Sequence, residues 1–146
     1  MLERLRFARY ALKFERAFKT DQWEDVKACF HPEAIYALAG SGPKYDGEAH
    51  GPEAIIALFK RMLDETDRKF DSRRPGLNGI PRIRKGELMV PWRAKYKLGE
   101  QAIVLHGISH CRFEGNHIIA LDDTMEPEEC RRWLELARTK AAVASA

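Results

Sequence analysis

The chain has 146 residues, 45% hydrophobic and 32% charged, with 25 Lys+Arg against 22 Asp+Glu and a formal net charge of +3. That balance excludes a disordered polymer, and no stretch approaches the ~20 consecutive apolar residues of a spanning helix. The length suits one domain over residues 1–146, with a core of its own.

Charges interrupt the apolar pattern of Met1 to Arg9, which argues against a secretory leader. Cys29, Cys111 and Cys130 are widely spaced and odd in number. They read as reduced thiols of a cytoplasmic protein, without a zinc spacing. Basic groups such as Arg73-Arg74, Arg82 to Lys85 and Arg93 to Lys97 are dispersed, with acids between most of them. This reads as a solvated mixed-charge surface rather than a nucleic-acid face. Neither nucleic acid nor a membrane is expected as a partner.

Phe7, Ala11, Phe14 and Phe18 recur at helical spacing, so the chain opens on a helix with one apolar stripe. Asp21 and Glu24 have the spacing of a capping box, starting a short second helix that turns Trp23, Val26 and Phe30 inward and stops at His31-Pro32. A short strand over Ile35 to Leu38 leads into a loop through Gly40, Gly42 and Gly47. Gly51-Pro52 restarts a helix with proline at its first position, burying Ile55, Phe59 and Met62.

Beyond Phe70 the period changes. Leu88, Val90, Trp92, Ala94 and Tyr96 alternate with Met89, Pro91, Arg93, Lys95 and Lys97, the pattern of a strand with one buried face. Gly99-Glu100 turns the chain into a long strand, Gln101 to Phe113. Glu114 to Asn116 turns it again into a strand from His117 to Asp123. Pro127 opens a last helix with Cys130, Trp133, Leu134 and Ala137 on its apolar side.

This order predicts an α+β architecture: a cone-shaped roll or half-barrel of curved, mixed, mostly antiparallel sheet with three to four helices on its concave side. Phe18 to Leu38, Asp46-Gly47 with Gly51 to Ile55, and Arg112 to Gly115 with Ile118-Ile119 resemble the nuclear-transport-factor-2-like, or SnoaL-like, superfamily. The resemblance covers nearly the whole chain. It implies the cone fold and a small-molecule pocket, and it leaves the chemistry open among isomerases, cyclases, hydrolases and non-catalytic modules.

The positions that carry the steroid-isomerase groups in such proteins fall here on Phe14, Leu38 and Ser109, none of which supplies that chemistry. The cyclase-like and epoxide-hydrolase-like members imply an essential carboxylate at Asp123, while their usual helper residues are replaced in this chain. Strand alternation turns Asp123 toward Ser109 with Ile119 and Leu121 on the same parity, in apolar surroundings that raise a carboxyl pKa and suit a general base. Asp123 also stands three residues before Glu126, where it would simply cap the last helix. Both readings stand at this point.

Tyr36, Trp92 and Tyr96 are expected as ligand walls, Ser109 as a polar anchor, and His50 as an acid or base at the pocket mouth. Two functions fit: a cofactor-free acid–base enzyme acting on an apolar or aromatic small molecule, or a non-catalytic ligand-binding or dimerisation module. No metal, nucleotide or flavin is expected, because the Gly40 to Gly51 loop lacks both phosphate-cradling patterns. A homodimer is expected through the outer sheet face, where His106, Ile108, His110 and Ile118 would lie.

Overall fold

The computed structural model describes residues 2–145, with side chains through residue 140. Its elements follow the order α1 (Leu2–Thr20), α2 (Glu24–Lys27), β1 (Phe30–Ala39), β2 (Gly47–His50), α3 (Pro52–Glu65), a 3-10 turn at Asp67–Lys69, β3 (Ser72–Leu77), β4 (Arg82–Arg84), β5 (Glu87–Leu98), β6 (Gln101–Glu114), β7 (His117–Met125) and α4 (Pro127–Ser145). The strands form one sheet in the order β2-β1-β7-β6-β5-β3, and β4 also pairs with β5. Only β1 and β7 run parallel; the other pairs are antiparallel. This is the cone-shaped α+β architecture, a curved mixed sheet with helices against one face.

Alternation along the long strands decides that face. Leu88, Val90, Ala94 and Tyr96 of β5, and Ile103, Leu105, Ser109 and Cys111 of β6, are buried, while Arg93, Lys95 and Lys97 are exposed. Two apolar clusters result. The larger joins α1, α2 and α3 to β1 and to the β5–β7 ends around Leu88, Cys111 and Leu121. The smaller packs α4, through Cys130 and Trp133, onto Ala94, Tyr96, Ile103 and Leu105. Completely buried side chains such as Ile55, Leu105 and Leu121 each contribute about 1.5–3 kcal/mol relative to exposure.

Several expectations are corrected. Asp21 takes a left-handed backbone with φ of 58°, and α2 has Trp23 at its N-cap with no side-chain cap bond. The Asp21 carboxylate instead accepts hydrogen bonds from Trp23 Nε1 (2.9 Å) and Arg68 Nη2 (3.2 Å), so no capping box forms. β1 is longer than Ile35 to Leu38 and runs through Pro32, which the sheet tolerates because pairing with β7 is irregular between Phe30 and Ile35.

The start of β7 is also irregular. Phe113 pairs with Ile118 and Arg112 with Ala120, leaving Ile119 as an extra residue. This bulge turns Ile118 inward, to 1% exposure. Ile118 therefore belongs to the core and not to the outer face, where Ile108 at 39% exposure remains.

Candidate active site

Asp123 lies within β7, with Leu38 of β1 on one side and Ser109 of β6 on the other. Both of its carboxylate oxygens are engaged. Ser109 Oγ donates to Oδ1 at 2.5 Å, and Tyr36 Oη donates to Oδ2 at 2.8 Å. Tyr36 sits opposite Leu121, one diagonal step along the same face, which is how a tyrosine reaches across the parallel pair. Ser109 and Tyr36 are themselves buried.

Burial holds the Asp123 carboxyl above the usual carboxylate range, against the opposing pull of the Ser109 and Tyr36 hydrogen bonds. Tyr36 is held well above the ordinary tyrosine range, first by burial and then by the neighbouring Asp123 charge. The Tyr36 phenol therefore stays protonated as a donor.

Asp123 is not the cap of α4. Glu126 does that work, its carboxylate accepting from the Glu129 and Glu128 amides at 2.7 and 3.3 Å. With the cap assigned to Glu126, the buried carboxyl has no helix-terminal role.

Tyr10 of α1 lies in the same apolar cluster as Tyr36 and Phe59, and sequence reasoning missed it. It is 8% exposed, packs edge-on against Phe30 with ring centres 5.7 Å apart, and feels the Asp123 charge after the larger effect of its own burial. Among the described residues its hydroxyl has no hydrogen-bond partner. The signal was present: Phe7, Tyr10 and Phe14 recur at i, i+3 and i+7, so Tyr10 belongs to the apolar stripe one turn before Phe14. The walls are aromatic, with Phe59 of α3 edge-on to Tyr36 at 4.9 Å and to Phe14 at 5.5 Å. Cys111 lies behind, its thiol pushed up by burial and then by Asp123.

The remaining expected site residues are placed elsewhere. His50 is exposed, pairs with Ile35 across the sheet and meets Glu48 Oε1 at 3.0 Å. It faces away from the buried Tyr36 and Ala49 row, because adjacent strand positions point to opposite faces. Tyr96 is buried but belongs to a second polar group: its hydroxyl donates to Asp67 Oδ2 at 2.7 Å, and Arg73 Nε donates to the same oxygen at 2.9 Å. Arg73 also pairs with Glu15 of α1 and lies over the Phe18 ring. This tie fixes α1 to the sheet edge rather than lining the Asp123 site.

Trp92 is half-buried over Gly107, the residue paired with it across β5 and β6. Two open recesses lie on the flank between α4 and the β5–β6 turn, lined among others by Gln101, Leu136 and Thr139. No residue of the Asp123 group lines either. The same strand pair carries His106 and His110, each held by a carboxylate, Glu129 and Glu87 respectively, at 2.9 Å.

The SnoaL-like domain model matches residues 11–121. The chain belongs to the SnoaL-like family. No curated protein matches it by sequence. Solved structures share the SnoaL-like fold at low identity. An NTF2-like protein of unknown function from Burkholderia pseudomallei aligns with a TM-score of 0.68 at 15% identity, covering 88% of this chain and 97% of that one. TerC, co-crystallised with polyporic acid, has a TM-score of 0.68 at 12% identity, with 88% and 97% covered. An LEH-like epoxide hydrolase from M. tuberculosis has a TM-score of 0.61 at 12% identity, with 93% and 94% covered. At these identities the structures establish fold only. The family match itself stops two residues short of Asp123.

Proposed function

We propose that this SnoaL-like chain is a cofactor-free acid–base enzyme acting on an uncharged apolar or aromatic small molecule, with Asp123 as the proton-transfer group. The observation that carries the reading is the buried carboxyl held by one hydroxyl on each oxygen. Asp123 accepts a proton from the substrate through its remaining lone pairs and returns it later in the cycle. Ser109 and Tyr36 fix the carboxylate, and Tyr10 is free to donate to the oxygen on which negative charge develops. The aromatic lining of Phe14, Phe30 and Phe59 suits an apolar or aromatic partner. Epoxide hydrolysis and the binding of polyporic acid among structural relatives are compatible with this class.

The second reading is a non-catalytic module. It is favoured by the close packing of the Tyr10, Phe30, Tyr36 and Phe59 rings on the Asp123 side of the sheet.

Asp123→Asn separates the two. It preserves shape, removes the proton acceptor and leaves the Glu126 cap untouched. Turnover in a screen of aromatic and cyclic carbonyl or epoxide compounds should vanish in the variant, while its melting temperature stays equal or rises, since burying a carboxylate is costly. Full activity in the Asn variant would end the acid–base reading. Ligand binding without turnover, equal in both proteins, would establish the module.

A further inference from the structure

In chain order the basic residues are dispersed; in the fold they are not. Antiparallel pairing sets Arg74 beside Lys95, Ser72 beside Lys97 and Gly76 beside Arg93, all on the outer face, opposite to buried Ala94 and Tyr96. β4 adds Arg82 opposite Met89 and Arg84 opposite Glu87 on the same face, with Lys85 in the turn that follows. These cations are exposed. Among the described residues none of them is in an ion pair. The nearby acids are already engaged: Glu87 by His110 and Arg112, and Asp71 by the Gly99 amide. The mixed-charge surface expected from sequence is therefore a concentrated cationic one along this edge.

The same edge carries the exposed apolar side chains Leu77 (58%), Ile80 (73%) and Ile83 (44%). Leu77 and Ile83 pair with Trp92 and Leu88, so they project to the side opposite the arginines, and Ile80 lies in the segment that connects β3 to β4. Seen edge-on, an apolar ridge runs beside a cationic flank. A polyanion such as RNA would use the cations but has nothing for the ridge, and the aromatics of β5, Trp92 and Tyr96, face the other way and offer no stacking platform. A bilayer with anionic headgroups uses both.

We propose that the β3–β4 edge docks this chain onto an anionic membrane surface, with Leu77, Ile80 and Ile83 entering the headgroup layer and Arg74, Arg82, Arg84 and Lys85 contacting lipid phosphates. The proposal is independent of the chemistry at Asp123. Its charge contribution falls steeply with salt.

The test is co-sedimentation of the full chain with phosphatidylserine–phosphatidylcholine vesicles and with pure phosphatidylcholine vesicles, at low and high salt. The expected result is binding to the anionic vesicles only, reversed by high salt. Arg82→Gln with Arg84→Gln should weaken it by roughly 25-fold, at about five-fold for each cation near an anionic surface. Ile80→Ser should weaken binding while leaving its salt dependence unchanged. Melting curves confirm that these surface variants remain folded. Absence of binding, or equal binding to both vesicle types, overturns the proposal. So does vesicle binding that is indifferent to Ile80→Ser, or binding to single-stranded RNA with the vesicles ignored; either would leave a general polyanion surface in place of a membrane one.

Discussion

Replacing Tyr36 with Phe removes one hydroxyl and nothing else. The ring keeps its edge-on contact with Phe59 and its place in the core, at 3% exposure. The lost bond is a hydroxyl donating at 2.8 Å to a buried carboxylate. A hydrogen bond to a charged group contributes about 1.5–3 kcal/mol. With an unfolding entropy of about 2.1 cal/mol/K per residue over 146 residues, that lowers the melting temperature by roughly 5–10 °C.

The loss depends on pH, and its sign follows from the direction of the Asp123 shift. A carboxyl whose folded pKa lies above its unfolded value favours folding most below the unfolded pKa, and that advantage is lost as pH rises through the folded pKa. The Tyr36 hydrogen bond draws the Asp123 pKa down, so Tyr36→Phe raises it further and widens that window. The stability gap to the parent chain is therefore smallest at acid pH, where Asp123 is protonated in both proteins, and largest above neutrality. Thermal denaturation of the two proteins at acidic, neutral and alkaline pH reads this directly. If turnover is found, the acid limb of its pH profile should move upward in the variant. A melting-temperature gap that is the same at every pH would refute the reasoning, because the hydroxyl would then not be bonded to a titrating Asp123.

A Cβ at position 107 would lie 2.2 Å from Trp92 Cζ2 and 2.8 Å from the Thr124 carbonyl oxygen. Gly107→Ala should therefore cost about 1–3 kcal/mol by overpacking, seen as a lowered denaturant midpoint and a change in Trp fluorescence. For assembly, we expect sedimentation velocity to give a homodimer through the outer face of β6 and β7 at micromolar concentration. Ile108→Glu, at the exposed isoleucine there, should give a monomer with an unchanged circular dichroism spectrum.

Much of the frame was readable because its signals are local. Proline at the start of α3 and period-two alternation in β5 and β6 are properties of neighbouring residues, and all three elements lie where expected. The Ser109–Asp123 contact followed from parity across one hairpin. The Tyr36 bond did not, because it depends on β1 joining β7 in parallel across 87 residues of sequence, a pairing that no local pattern encodes. Tyr96 and Trp92 were correctly placed on an inward-facing strand, yet position along it decides which partner each meets. Tyr96 lies beside Asp67, too far along β5 to reach Asp123's row. His50 was misplaced because β2 was not visible as a strand, so its outward parity could not be assigned.

The extra residue at Ile119 has a consequence for how this chain should be compared with its relatives. Ahead of the bulge, Ile118 is in phase with positions 120 and 122; behind it, the inward phase belongs to Leu121 and Asp123. Two adjacent aspartates thus compete for one place, and a single bulge selects between them. A homologue of the same length that pairs without the bulge would present the equivalent of Asp122 to Ser109 while its sequence still read Asp-Asp. Alignment without a gap at this point would then equate a buried acid with a solvated one, and variation at either aspartate should be interpreted only after the phase of the final strand has been counted back to its turn.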